Sequence, residues 1–336
     1  MTTTPPPPPP TIWVLTDDVT GHANQSLGVA EALGLSFVTR ELRYGPWALL
    51  PGALGPRCLL GLSAASRAAL VPPWPGMVIA TGRRLGAVAR WIKRQAGQAG
   101  LTTRIVQIMD PLRGRDEFDL IAAPRHDRTK PRDNLIETIG APNRITPARL
   151  MVEAEAWRDR FSSLSAPRIA VLVGGATQRR GFAPALAAEL GRLASRLAES
   201  CHGSLLITTS RRTGGTATDA LAQAVTVPRY IHRWGTGGGA QDNPYFALLA
   251  SADAIVVTGE SMSMCSEACA TGKPVYIYAP PAIVKPGFAR LHQALYSAGM
   301  AKPLSAETSL TFDSNVMIPL SAARDIAAEI RRRFAL

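Results

Sequence analysis

Cysteine is scarce, with four residues at 58, 201, 265 and 269 in a chain of 336. No CxxC pair occurs and histidine numbers five. Neither a disulfide framework nor a zinc cluster is therefore expected, and small buried thiols in a reduced, cytoplasmic setting are the default. Long apolar runs are also missing. No stretch reaches the roughly eighteen residues that a spanning helix needs. The nearest approach, GPWALLPGALGPRCLLGL (45–62), is broken by Pro and Gly and suits a buried loop and short helix, or at most rest on a surface. The opening MTTTPPPPPP (1–10) lacks the basic and apolar segments of a secretory leader and reads as a disordered, polyproline-like tail. Aromatic residues make up 6% and do not interleave with basic ones, so nucleic acid is not an expected partner. Acidic residues are in deficit, 25 against 37 Lys plus Arg, and the imbalance is local: 83–132 holds twelve basic and five acidic residues. Such a face favours phosphates or an anionic membrane surface, peripherally bound, with solubility of an Arg-rich composition as the plain alternative.

What is present is alternation. Short β-branched runs, TIWVLT (11–16), MVIAT (77–81), RIVQIMD (104–110), FDLIAAP (118–124), RIAVLVGG (168–175), SLLITTS (204–210), VPRYIHRW (227–234), AIVVTG (254–259) and PVYIYAP (274–280), are separated by Ala/Leu-rich helical stretches. The helices are expected over 24–33, 85–96, 184–201, 216–223, 245–251 and 263–271. This is the pattern of α/β parallel sheets covered on both faces. The pattern restarts after 147–167, which ends in a Ser/Pro linker. Two Rossmann-like, doubly wound domains are expected, at 11–150 and 165–305, with an interdomain cleft and a closing amphipathic helix (320–336) returning to the first domain.

Ligands of open α/β sheets bind beyond the carboxyl ends of strands, so the residues there come first. In TDDVTGHANQSLGVAEAL (16–33), Gly21 permits close backbone approach, and His22, placed before a helix expected from Asn24, is a base or anion contact; a solvated His in a capped turn is the plain alternative. In VLVGGATQRRGFAP (171–184), Gly174, Gly175, Thr177 and Gln178 suit a loop whose N–H groups meet a phosphate. Ser210 and Arg211 end the strand at 204–210. The stretch TGESMSMCSEACATGKP (258–274) is the most specific: Gly259, Ser261 and Ser263 leave room and donors at a helix start, and Glu267 supplies a carboxylate suited to a ribose diol. A carboxylate that only answers the helix dipole is the alternative there. Asp127, in PRHD (124–127), is a second candidate base; His126 beside it is not expected to face it. No metal cluster, resident cofactor or Ser-His-Asp set is read from the sequence.

Six stretches together, 13–34, 80–90, 124–146, 171–178, 205–213 and 243–278, resemble the mitochondrial-fission "elongated mitochondria" (ELM) family. That family in turn is similar to GT-B glycosyltransferases, notably the lipid-linked peptidoglycan GlcNAc-transferase. The DDVT at 17–20 departs from the Gly-containing loop usual there. The resemblance implies a metal-independent transferase that uses a nucleotide-diphosphate sugar, UDP- or GDP-type. Gly21-His22 would match its first glycine loop, Gly174–Thr177 its second, and Glu267 its ribose carboxylate, with a lipid-linked acceptor on the basic first domain. Plant members act as adaptors for a dynamin-like protein, which keeps open a non-catalytic adaptor that retains the fold. A sugar-nucleotide 2-epimerase shares the two-domain plan and is the third reading.

Overall fold

The computed structural model describes residues 11–45, 58–177, 181–236, 243–310 and 319–336. The proline tail, most of 45–62 and Gln178 lie outside the described residues. Two compact units emerge, one of residues 1–144 with 321–336, the other of 145–320.

The first unit is built on a six-stranded parallel sheet: β1 (Ile12–Thr16), β2 (Phe37–Glu41), β3 (Met77–Thr81), β4 (Arg104–Ile108), β5 (Leu120–Pro124) and β6 (Leu135–Thr138). The strand order is β2-β1-β3-β4-β5-β6. β1 and β3 are buried throughout, because side chains of alternate sign reach apolar layers on both faces. Ile12, Val14 and Ile79 join α1 (Thr20–Leu33) through Val29 and Leu33 on one face. Trp13, Leu15 and Val78 join Val88 and Ile92 of α3 (Gly82–Gln98) on the other. A short α2 (Ala64–Ala68) precedes β3.

The terminal helix α10 (Ala322–Phe334) completes the α1 face with Ile326, Ile330 and Phe334. Arg331 donates to the Leu33 carbonyl at 2.6 Å, and Arg104 of β4 donates to the Phe334 carbonyl at 2.9 Å. The sequence reading began the first helix at Asn24; it begins four residues earlier. Asp17 accepts the Val19 N–H at 3.1 Å, and the Val19 carbonyl takes the first helical bonds, from His22 and Ala23. His22 therefore sits inside the first turn of α1 rather than ahead of it.

The second unit repeats the plan with β7 (Arg168–Val173), β8 (Ser204–Thr209), β9 (Arg229–His232), β10 (Ala254–Thr258), β11 (Val275–Tyr278) and β12 (Lys302–Pro303). The order is β12-β11-β10-β7-β8-β9, again parallel. Its helices are α4 (Pro147–Trp157), α5 (Pro184–Glu199), α6 (Gly215–Ala224), α7 (Tyr245–Ser251), α8 (Met262–Ala270) and α9 (Pro286–Ser297). The expected strand at 227–234 is trimmed to four residues. The stretch read as leading to a linker is structured: Thr146 caps α4 by accepting the Arg149 N–H, and Phe161 beyond it is fully buried. Among the described residues no helix is long and apolar enough to cross a membrane.

One cation closes α7. The ammonium of Lys273 donates to the carbonyls of Leu249, Ala250 and Ala252 at 2.7, 2.7 and 2.5 Å. A helix leaves its last carbonyls without partners and is negative at that end, so a buried ammonium satisfies both needs. Lys273→Met keeps the stem and strands three acceptors. It is expected to destabilise the second unit by about 2–4 kcal/mol, read as a lower urea midpoint for that unit's transition.

Candidate functional site

In each sheet the strand order reverses once, between β1 and β3 in the first unit and between β7 and β10 in the second. A crevice opens at such a reversal because the flanking connections leave in opposite directions. The predicted site residues are best judged by their place at these two points.

At the second reversal, β7 runs into Gly174-Gly175. The Gly174 N–H donates to the Thr258 hydroxyl at 2.8 Å, the Gly175 N–H to Glu260 Oε1 at 2.5 Å, and the Ala176 N–H to the Arg212 carbonyl at 2.9 Å. The hydroxyls of Ser210 and Thr213 both donate to the Gly174 carbonyl. The expectation that these N–H groups stand open to a phosphate needs correction, since all three have acceptors within the chain. Ser210 likewise has its proton committed to the loop. Both glycines are demanded by space. A Cβ on Gly174 would lie 1.8 Å from Glu260 Oε1, and one on Gly175, at φ +140°, would lie 2.3 Å from the Arg212 carbonyl oxygen. The Thr177 hydroxyl is buried without a partner among the described residues, and Arg211 is exposed.

Glu260 is the residue the sequence reading passed over. It is 2% exposed. Its Oε1 accepts from Gly175 and from the Thr258 hydroxyl, while Oε2 is buried with no partner among the described residues. Burial raises its carboxyl above the ordinary range, against the opposing pull of the Gly175 N–H, the Thr258 hydroxyl and the Arg212 charge. The available signal was its position, a carboxylate two residues past the end of a strand and inside the stretch TGES.

Glu260 leads directly into α8. Ser261 occupies the N-cap position in extended conformation without accepting a side-chain bond from the helix, and the first helical bond runs from the Cys265 N–H to its carbonyl. Ser261 is buried and Ser263 half-buried. Gly259 is required by a neighbour: a Cβ there would fall 2.6 Å from Cε1 of His292, whose Nε2 lies 2.8 Å from the Gly259 carbonyl. Glu267, in the second turn, is buried and accepts the Tyr245 hydroxyl at 2.5 Å. Burial, and then the adjoining carboxylate, push the Tyr245 phenol well up, so Tyr245 remains a donor.

At the first reversal, Asp17 follows β1 with its side chain 1% exposed. Arg84 donates to its Oδ2 at 3.2 Å, and His22 Nδ1 lies 3.6 Å from the same oxygen, at the margin of a hydrogen bond. Burial pushes the Asp17 carboxyl up, but His22, the Val19 N–H and Arg84 together hold it below the usual aspartate range. Gly82, at φ +80°, passes under the His22 ring, where a Cβ would lie 3.0 Å from Cε1. Gly21 falls one residue earlier in the same turn of α1.

Asp127 follows β5 and is exposed, with Oδ1 3.7 Å from Nε2 of buried His126. The neighbours do approach, contrary to expectation, because a short 3-10 turn over Arg125–Asp127 brings successive side chains round. β3 and β4 separate β1 from β5, so the strands leading to His22 and Asp127 lie about 14 Å apart. The structure does not join them as one pair.

The first unit also holds a cavity of about 320 Å³ lined by Arg83, Arg90 and Arg113 with Pro111, Leu112 and Phe118. Asp110 pins its outer loop, accepting from the Leu112 N–H at 2.9 Å and from Arg115 at 2.8 and 2.6 Å.

The Gly174–Glu260 packing yields a direct test. Gly174→Ala forces the Glu260 carboxylate off the Gly175 amide and is expected to cost about 2–4 kcal/mol. Differential scanning calorimetry should show the second unit's transition lowered while the first unit's stays in place.

Solved structures of the same fold are available for comparison. A putative UDP-N-acetylglucosamine 2-epimerase from Listeria monocytogenes superposes with a TM-score of 0.55 at 11% identity, over 97% of this chain and 96% of that one. The UDP-GlcNAc 2-epimerase of Methanocaldococcus jannaschii, solved with UDP-GlcNAc and UDP, gives 0.52 at 10% identity, over 96% and 99%. At such identities the likeness is one of fold, two doubly wound α/β units of GT-B-like type. In sequence the chain is 30% identical over 283 residues to Mitochondrial fission protein ELM1 of Arabidopsis thaliana, a match covering 78% of this chain and 64% of the plant protein. The chain thus spans less than two thirds of that relative. The family Mitochondrial fission ELM1 matches over residues 20–334, and to that family the chain belongs.

Proposed function

We propose that the second unit binds a nucleotide-diphosphate sugar, UDP- or GDP-type, at the carboxyl ends of β7 and β10, and that the protein transfers the sugar without a metal. One observation carries this reading. The start of α8 takes no side-chain bond from its N-cap residue, carries the small residues Ser261 and Ser263, and has the buried carboxylate of Glu267 in its second turn. Small residues admit a ligand backbone, the helix end favours the diphosphate, and the carboxylate accepts ribose hydroxyls. Tyr245 orients that carboxylate from α7. The ligand class is carried over from the fold neighbour solved with UDP-GlcNAc and UDP.

In the transfer an acceptor hydroxyl attacks the anomeric carbon, the bond to the diphosphate oxygen breaks, and the hydroxyl proton passes to a base. The leaving diphosphate gains charge, which the α8 N–H groups and the Arg211 and Arg212 guanidinium groups offset. His22 is the base we assign, with Asp17 holding its ring; Asp127 is the second candidate. The arginine-lined cavity of the first unit suits an anionic, lipid-linked acceptor or the membrane surface that carries it. A non-catalytic adaptor is the second reading. Its support is the glycine loop, whose N–H groups are already engaged by Thr258, Glu260 and Arg212.

Calorimetric titration with UDP, GDP and their sugars decides between the readings. The transferase reading expects micromolar to sub-millimolar binding, weakened at least tenfold in Glu267→Ala. Absence of binding at millimolar nucleotide favours the adaptor. For the acceptor side, the Arg83→Ala/Arg113→Ala double variant should lose most of its co-sedimentation with vesicles containing phosphatidylglycerol, at unchanged nucleotide affinity.

A further inference from the structure

Glu260 stands apart from every other carboxylate described above. It is almost fully buried, it touches the glycine loop through one oxygen, and its other oxygen has no partner among the described residues. It also immediately precedes the N-cap residue of α8. A glycine loop and a helix start, brought side by side at a strand reversal, form a concavity of backbone donors that suits an anion. Here the chain supplies that anion itself. The Gly175 N–H, which an external phosphate oxygen would otherwise accept, is held by Glu260 Oε1. Gly174 is reserved for the same contact, since a Cβ there would fall 1.8 Å from that oxygen.

We infer that Glu260 is an internal stand-in for the ligand's phosphate, and that an anionic ligand settles at the start of α8 only as Glu260 takes up one proton on Oε2. The inference rests on the proposed nucleotide site. A carboxylate and a phosphate in one buried concavity repel strongly. A proton from solvent removes the repulsion and turns Oε2 into an O–H donor that a phosphate oxygen can accept. No bond breaks elsewhere, and Oε1 keeps the Gly175 amide.

The groups around Glu260 leave it as the one that responds. From the loop after β8, Arg212 contributes a favourable charge without forming an ion pair. From α8, the buried Cys265 thiol is held neutral, its proton affinity raised by burial. From β10 comes the Thr258 hydroxyl, and from α9 the His292 ring, which packs on Gly259. Burial raises the affinity of the Glu260 carboxyl for a proton, in the direction that favours this uptake.

The test is calorimetry with inorganic pyrophosphate and with UDP, from pH 6 to 8.5, in buffers of differing ionisation enthalpy. For the unaltered protein the expectation is net proton uptake on binding above neutral pH, with affinity falling about tenfold per pH unit beyond the free carboxyl's pKa. Glu260→Gln copies the protonated carboxyl. It should bind with one proton less taken up and should exceed the unaltered protein's affinity at pH 8.5 by tenfold or more. The sign of proton exchange in the unaltered protein stands even if that variant is unstable, because phosphate docking on arginines alone releases protons. Binding with equal proton exchange in both proteins overturns the inference and leaves the nucleotide reading in place. Proton-coupled binding of pyrophosphate without any preference for UDP overturns the nucleotide reading and sustains the inference. No binding of either anion to either protein overturns both.

Discussion

In a parallel sheet buried on both faces, polar groups collect at the ends of the strands, and ligands of open α/β sheets bind at the carboxyl ends. Everything chemically interesting in this protein follows from that constraint. The strands at both reversals, β1, β3, β7 and β10, are buried almost throughout, and Asp17 and Glu260 lie just past their ends. Asp17 lies one residue beyond β1, and Glu260 lies two beyond β10. The two occupy comparable places and have opposite proton affinities. Asp17 meets a guanidinium and an imidazole, and it is held charged. Glu260 meets a backbone amide and a hydroxyl, with a cation acting only from a distance, and it leans toward the neutral acid. For Asp17 the partners outweigh burial, and for Glu260 burial outweighs the partners.

The fold was legible in the sequence because its signals are long and redundant. Runs such as RIAVLVGG and AIVVTG leave no solvent face, and the helical stretches between them fix a parallel sheet. The division into two units shows in the same text. What stayed hidden is the direction of backbone hydrogen bonds. GGAT looks the same whether its N–H groups wait for a ligand or are already bonded, and only the fold shows that Thr258, some eighty residues away, reaches Gly174. Ser210 was visible as a hydroxyl at a strand end, but its use as a brace for the Gly174 carbonyl was not. Gly259 read as room for a ligand and proves to be room for His292. α1 starts earlier than expected because Asp17 accepts the N–H of Val19, whose carbonyl takes the first helical bonds, in a stretch that departs from the family pattern.

Membership of the ELM1 family and likeness to nucleotide-sugar epimerases answer different questions. The first is carried by sequence along nearly the whole chain, and the second by the shape of two doubly wound units. A shared fold places a crevice but does not fill it. In this chain the Gly175 N–H at that crevice is held by a side chain, Glu260. That arrangement separates a retained pocket from an open one in physical terms, and it ties ligand entry to the proton inventory of one residue.

The closing helix of the first unit carries a consequence for synthesis. α10 supplies Ile326, Ile330 and Phe334 to a core whose other walls are α1 and the first sheet. Between the last strand of that sheet and α10 lies the whole of the second unit. At ordinary translation speeds the ribosome needs on the order of ten to thirty seconds to cross that interval. For that time the nascent first unit presents an uncovered stripe along Val29 and Leu33, and by its end the second unit has every strand it needs while α10 is still to come. The later unit in the sequence is therefore the earlier one able to fold to completion, and the first waits for the chain's end to seal it.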